Sequence, residues 1–329
     1  MKLENIGFYT LEDSRARRTN IFSPLWRCEL ILTARCNFRC SYCRGLKNYH
    51  EMSYYDALGV VQKWVDGGLK NIRFSGGEPT LWDGLIELVK FSKLNKIKRI
   101  AISTNGYSDI TLYKKLYDAG VNDFSISLDA CCSSVGDMMA GGIEGSWKKV
   151  VENIKIISTW TYVTVGIVLN NKNINELNDI IYFSDSLGVS DIRILSSVQW
   201  NDKSKFVNLC NDKNILEKHP ILKYRVNNFN KGRNVRGLLN TDCGTCMLMM
   251  DDMVVSDNKH YPCIIYMREN GNEIGTIKNK TIQEIREERY DFIKYHNSHN
   301  DNICKNNCLD VCIDYNNKVN YFQNTNINA

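Results

Sequence analysis

The sequence predicts an open partial (β/α)6 barrel, TIM-like, followed by a small cysteine-rich extension. Three observations point there. Six short apolar runs rich in β-branched residues alternate with helical patterns, polar clusters follow each run, and after about residue 235 the alternation stops while cysteines return. At 329 residues the chain exceeds the size at which one hydrophobic core usually stops growing. We therefore expect an arm over 1–25, a barrel over 26–235 and an extension over 236–329.

The apolar runs are 28–32, 72–75, 100–104, 124–128, 162–169 and 192–195. Between the first two, Ala57, Val60, Val61, Trp64 and Val65 share one helical face, opened by a cap at Ser53 and closed by Gly67-Gly68. Further helices are expected at 82–93, 110–119, 146–158 and 175–187. Continuous apolar strands covered by helices imply a parallel sheet. Six units are too few to close an eight-stranded barrel.

In such barrels function gathers at the C-terminal ends of the strands. There the sequence places Cys36, Cys40 and Cys43 after the first run and Ser75-Gly76-Gly77-Glu78-Pro79 after the second. Ser103, Asn105 and Gly106 end the third, Ser127 and Asp129 the fourth, Asn170 and Asn171 the fifth, and Ser196 and Ser197 the sixth. Three thiols within eight residues can converge on one iron–sulfur cube, since thiolates are its usual ligands. A cube has four irons, so one stays open. A zinc site and three free thiols are the alternatives, but structural zinc wants four ligands and no fourth Cys or His follows closely. The two glycines could form only a turn.

The spacing Cys36-x3-Cys40-x2-Cys43, with Tyr42 before the last cysteine and Gly76-Gly77-Glu78 some 35 residues on, resembles the signature of the radical S-adenosylmethionine (SAM) superfamily. The resemblance implies that the open iron is chelated by the amino and carboxylate groups of S-adenosylmethionine. One electron then cleaves the sulfonium, giving a 5′-deoxyadenosyl radical that takes a hydrogen atom from substrate. It also implies that Gly76, Gly77 and Glu78 face the methionyl ammonium. Ser103, Asn105, Ser127 and Asp129 become candidates for the ribose and carboxylate, and Tyr42 and Ser196 for the adenine. Ser and Asn at these positions also suit helix caps. A flavodoxin- or ferredoxin-like electron donor is the implied partner.

Cys131-Cys132 lies near the same rim. Such thiols often act as small buried hydrophobes; the sharper expectation makes Cys132 a hydrogen-atom donor to a substrate radical. The extension holds Cys243-x2-Cys246, Tyr261-Pro262-Cys263 and Cys304-x3-Cys308-x3-Cys312, six cysteines in 70 residues. A hairpin is expected around Pro262 and a helix over 281–293. Paired cysteines with a distant second group also describe a zinc ribbon. The pattern is similar to the SPASM or twitch extensions of radical SAM enzymes. That implies one auxiliary [4Fe–4S] cluster, two in the fuller pattern, held by Cys243, Cys246, Cys263 and one of Cys304, Cys308 and Cys312. The pair-then-single spacing is also similar to the molybdenum-cofactor enzymes that rearrange a guanosine nucleotide, whose chains end in a double glycine where this one reads Asn328-Ala329.

Composition narrows the rest. Hydrophobic content of 43% with 24% charged residues is ordinary for a soluble protein. Neither a long apolar span nor a signal-peptide core is present, so a cytoplasmic location is expected, with no membrane partner. Thirteen cysteines in so long a chain suit metal ligation better than a disulfide framework. A net charge of +5 and the basic runs 15–18 and 93–99, which lack interleaved aromatics, favour solvated faces over a nucleic-acid site. The substrate expected from the extension is a ribosomally made peptide, ahead of an aminosugar or nucleotide undergoing dehydrogenation or epimerisation. An iron–sulfur or zinc protein without turnover, regulatory or RNA-binding, is the reading from another class.

Overall fold

A computed structural model describes residues 13–45, 51–198 and 209–326. In chain order its elements are α1 (Asp13–Ala16), β1 (Arg27–Thr33), α2 (Tyr54–Asp66), β2 (Asn71–Gly76), α3 (Leu85–Leu94), β3 (Arg99–Thr104), α4 (Ile110–Ala119) and β4 (Asp123–Ser127). Next come α5 (Ser133–Met139), α6 (Ser146–Ser158), β5 (Tyr162–Leu169), α7 (Leu177–Ser186), β6 (Asp191–Ser196), α8 (Lys213–Lys218) and α9 (Pro220–Asn230). The tail adds β7 (Asp252–Ser256), β8 (Lys259–Tyr261), α10 (Ile264–Arg268), β9 (Gly275–Thr276), α11 (Ile282–Tyr295), α12 (Asn302–Asn307) and α13 (Asp310–Asn326). The architecture is an α/β fold on a mostly parallel open sheet of the partial-barrel kind.

The described residues form two compact bodies. The central body takes those of Leu32–Glu51 and Arg73–Val235, and the terminal body those of Met1–Ile31, Met52–Ile72 and Arg236–Ala329. The stretch expected as one barrel, 26–235, is thereby divided. The start of β1 and α2 group with the tail, because β1 pairs in parallel with β7 from Arg27↔Asp252 to Ile31↔Ser256 and α2 packs on α11.

In the central body the strands run β6-β5-β4-β3-β2, and β3 to β6 are joined in parallel ladders. Side chains alternate across a strand, so each strand has two faces. One face is apolar and fully buried: Phe74, Ile100, Ile102, Phe124, Ile126, Val163, Val165, Ile192 and Ile194. The opposite face is polar, with Arg73, Arg99, Ser103, Asp123, Ser125, Thr164 and Arg193 in alternate positions.

Helix starts follow their caps. Ser53 accepts from the Asp56 N–H to open α2, and Asp109 from Thr111 to open α4. Helix α3 starts at Leu85 rather than 82, because Pro79–Leu81 forms a 3-10 turn and Gly84 takes a left-handed φ of 94°. Helix α7 is delayed likewise by the 3-10 turn Ile174–Glu176. Asp191, at the start of β6, accepts from Ile221 N–H at 3.0 Å and so opens α9.

In the terminal body β7 and β8 make the expected hairpin, and β9 adds antiparallel to β8. Thr281 and Glu284 form a capping box at the start of α11. Arg289 on α11 is fully buried and donates to the carbonyls of Met249 (2.9 Å), Tyr261 (2.9 Å) and Asp252 (2.6 Å), which ties the hairpin down just before Cys263. The arm around α1 is anchored through a buried ion pair between Arg15 and Asp251 at 2.8 Å, which Tyr315 and Thr19 join.

Candidate functional site

The first cysteine loop leaves the end of β1 in the central body. Thr33 Oγ1 accepts from Arg35 N–H at 3.0 Å, turning the chain, and Arg35 pairs with Glu51 at 2.6 Å and donates to the Leu81 carbonyl at 2.7 Å. The glycine pair packs against this base. Gly77 N–H donates to the Thr33 carbonyl and Glu78 N–H to the Arg35 carbonyl, both at 2.7 Å. A Cβ on Gly77 would collide with the carbonyl oxygens of Ala34 and Arg35, and one on Gly76 with that of Thr33. Two glycines at this strand end are what let the cysteine loop and β2 close together.

Glu78 is fully buried, and its carboxylate is engaged inside the protein. It accepts from Thr80 Oγ1 (2.7 Å), Thr104 Oγ1 (2.7 Å) and Asn105 N–H (2.7 Å). Burial raises its pKa and these donors pull it back. Asn105 donates from Nδ2 to Asn37 Oδ1 at 2.7 Å and accepts from Tyr107 N–H at 3.0 Å; Cys36 Sγ lies 3.9 Å from the same Nδ2. Tyr42 donates its hydroxyl to Asp129, whose other oxygen accepts from Val168 N–H at 2.6 Å. Burial lifts Asp129 to about 6.

Cys36 and Cys43 are exposed and Cys40 half-buried. Burial pushes Cys36 upward and Cys40 up to about 12, Asp129 and the neighbouring thiols adding to Cys40. Without metal, Cys36 and Cys40 are thus protonated near neutral pH, and metal binding releases their protons. Among the described residues no three His, Cys, Asp or Glu side chains form a shell for a single ion. A cube makes a different demand, holding its thiolates on separate irons. Three soft thiols on one loop, their base closed by a Gly76-Gly77 contact that admits no Cβ, fit such a cluster with one iron left open.

The remaining candidates are spread around the rim. Ser103 is half-buried in β3 and accepts from Arg73 at 2.7 Å, so it belongs to the polar face. Ser127 is exposed at the end of β4, and Ser196 half-buried at the end of β6. Cys132 opens α5 with Sγ 3.4 Å from Ser134 Oγ, and Cys131 Sγ lies 3.9 Å from Glu176; both are half-buried, not core residues. Residues missed by the sequence reading stand on the polar face. Arg99 pairs with Asp123 at 2.9 Å, Arg73 lies 3.9 Å from the same oxygen, and Arg193 donates to Ser125 at 3.1 Å. A charged residue in each of four strands, β2, β3, β4 and β6, was the available signal.

In the terminal body the cysteines come from different elements. Cys246 precedes the 3-10 turn Met247–Met250, Cys263 caps α10, Cys304 lies in α12, Cys308 ends it and Cys312 lies in α13. Burial raises Cys246 to about 11 and Cys263 to about 12, and pushes Cys304 and Cys308 up further. Neighbouring thiols add to this: Cys312 at Cys246, Cys246 at Cys263, both of these at Cys304, and all four at Cys308. Cys243 turns to its own loop, with Sγ 3.5 Å from the Thr245 carbonyl. Two partners were not foreseen, His296 at 3.5 Å from Cys304 Sγ and Asn316 at 3.4 Å from Cys246 Sγ.

Residues 30–183 match the family model of the Radical SAM superfamily. Over these residues the chain has the radical SAM domain, whose superfamily members bind a [4Fe–4S] cluster and S-adenosylmethionine. Among curated relatives, the probable GTP 3',8-cyclase of Sulfurisphaera tokodaii is 30% identical over 169 residues, 50% of this chain and 53% of that protein. The GTP 3',8-cyclase of Aliarcobacter butzleri is 31% identical over 207 residues, 58% and 62% of the two chains. The chain thus spans little more than half the length of these relatives. Among solved structures, Streptococcus suis SuiB bound to S-adenosylmethionine superposes with a TM-score of 0.60 at 14% identity, covering 83% of this chain and 68% of that one. Native anSMEcpe with bound AdoMet superposes with a TM-score of 0.59 at 18% identity, covering 93% and 98%. At such identities the likeness shows the fold. No helix among the described residues is long and apolar enough to cross a membrane.

Proposed function

We propose that this chain cleaves S-adenosylmethionine reductively at a cluster on Cys36, Cys40 and Cys43 and removes a hydrogen atom from a small polar or anionic substrate. The bound cluster and S-adenosylmethionine would supply the electron transfer and hydrogen-atom abstraction. The protein's part is to hold, orient and shield. Gly76 and Gly77 close the loop base, and Glu78 fixes the turn after β3 through Thr104 and Asn105. The observation that carries the substrate class is the polar face of the central sheet, where half-buried Arg73 and Arg193 stand beside Ser103 and Ser125. Guanidinium forks suit phosphate or carboxylate groups. The cyclase names of the relatives at 30% and 31% identity support the same reading, which prefers a small molecule to the peptide expected from the extension.

In the terminal body, Cys246, Cys263, Cys304 and Cys308 are the proposed ligands of an auxiliary [4Fe–4S] cluster, with Cys312 next in line. A flavodoxin- or ferredoxin-like protein is the proposed electron donor. The test is anaerobic reconstitution, iron and sulfide quantification, and a 5′-deoxyadenosine assay with GTP or a linear peptide added. Faster 5′-deoxyadenosine formation with the nucleotide, lost in Arg193→Ala, supports the reading. Stimulation by peptide alone refutes the substrate class, and no 5′-deoxyadenosine under any condition refutes the activity.

A further inference from the structure

Each thiol of the first loop has a neighbour tied to a different part of the central body. Next to Cys36, Asn37 accepts from Asn105 at the end of β3. Next to Cys40, Arg39 N–H donates to the Ala140 carbonyl at 3.0 Å, just past α5. Next to Cys43, Tyr42 donates to Asp129 beyond β4. Two of these anchors, Asp129 and Asn105, are themselves held. Asp129 receives Val168 N–H at 2.6 Å on its second oxygen, and Asn173 Nδ2 donates at 3.0 Å to its carbonyl. Asn105 accepts from Tyr107 through its amide oxygen and gives its own N–H to buried Glu78.

We infer that Asn105 and Asp129 are positioning residues that hold the cysteine loop in its cluster-binding shape through Asn37 and Tyr42, rather than residues that grip the ribose or carboxylate of S-adenosylmethionine. The inference rests on the reading above that this loop carries a cluster. The geometric reason is occupancy. Asp129 is 8% exposed and both carboxylate oxygens already accept from the protein, and both ends of the Asn105 amide are likewise engaged. Three anchors on three separate loops fix a short segment far better than the loop's own backbone could, since it lacks helix or strand.

The two roles separate when the cluster is observed before S-adenosylmethionine is added. Full-length protein is reconstituted anaerobically as wild type, Tyr42→Phe, Asp129→Asn, Asn105→Ala and the Tyr42→Phe/Asp129→Asn double variant. Iron per chain and the electron paramagnetic resonance spectrum of the reduced protein are recorded without S-adenosylmethionine, and far-ultraviolet circular dichroism checks folding. A positioning role predicts altered spectra and at least a twofold faster loss of iron to a chelator in each single variant. It also predicts a double variant no worse than the worse single, because one hydrogen bond is shared. Tyr42→Phe removes only the hydroxyl and keeps the ring, so it retains the test if Asp129→Asn fails to fold. Wild-type spectra and iron retention in folded Tyr42→Phe and Asn105→Ala, with only S-adenosylmethionine affinity reduced, would overturn the inference. Wild-type protein that holds no iron through Cys36, Cys40 and Cys43, judged by equal iron in Cys36→Ala, would overturn the cluster reading itself and this inference with it.

Discussion

In the central body Cys36, Cys40 and Cys43 lie within eight residues, and what surrounds them is anchoring by Asn37, Arg39 and Tyr42. In the terminal body Cys246, Cys263, Cys304, Cys308 and Cys312 are spread over a turn, a hairpin end and two helices, and packing gathers them. The first arrangement needs a loop held in shape, and the second needs a whole fold assembled. The contrast teaches where to look for fragility. A local site fails when its anchors fail, and a dispersed site fails when the elements that bring it together come apart.

The largest effect should come from the local site. Cys40→Ala is expected to remove about four irons per chain and abolish 5′-deoxyadenosine formation, while leaving the iron of the proposed auxiliary cluster in place. Iron retained in full would break the comparison. Next, Cys263→Ala should lower iron by about four, whereas Cys243→Ala, whose thiol faces its own loop, should leave it near the wild-type value. The reverse order in iron assays would restore Cys243 to the ligand set expected from the sequence. Gly77→Ala should destabilise the protein by about 1–3 kcal/mol in denaturant titrations and impair cluster loading, because its methyl group meets backbone oxygens that cannot move alone.

A smaller effect is set by pH in the terminal body. His260 is fully buried, and burial followed by the adjacent Arg289 lowers its pKa to about 4, with Glu288 at 3.1 Å opposing. The fold therefore favours the neutral ring. Its contribution is complete above the unfolded value of about 6.5 and is lost progressively as pH falls toward about 4, by about 3 kcal/mol. His260→Gln should flatten that part of the stability–pH curve measured by thermal melts. The smallest is Gly59→Ala, in an exposed position of α2 with nothing within 4 Å of the added carbon. It should stabilise by about 0.5–1 kcal/mol in the same melts, since glycine inside a helix is entropically costly.

The residues differ in how readily they could be read. The six barrel strands, α2, α4 and α6 were legible because hydrophobic period and caps are local properties. So was the three-cysteine loop, whose spacing lies in one short stretch. Helix α13 was missed, although Val311, Tyr315, Val319 and Phe322 are buried at helical spacing, because asparagines between them dilute the apolar pattern. Glu78, Asn105 and Asp129 were legible as polar rim residues, but not the direction of their side chains.

By itself the sequence determined the strand–helix alternation, the rim on which the polar groups fall and the thiol trio with its glycine pair, since each is encoded within a few consecutive residues. Only the tertiary structure decided that β1 pairs with β7, that α2 belongs with the tail, that Arg73 and Arg193 share the polar face, and that Tyr42 reaches Asp129. Those partners lie from tens to more than two hundred residues apart in the chain. Nothing short of packing and hydrogen-bond satisfaction across the whole fold selects one such pairing over the rest.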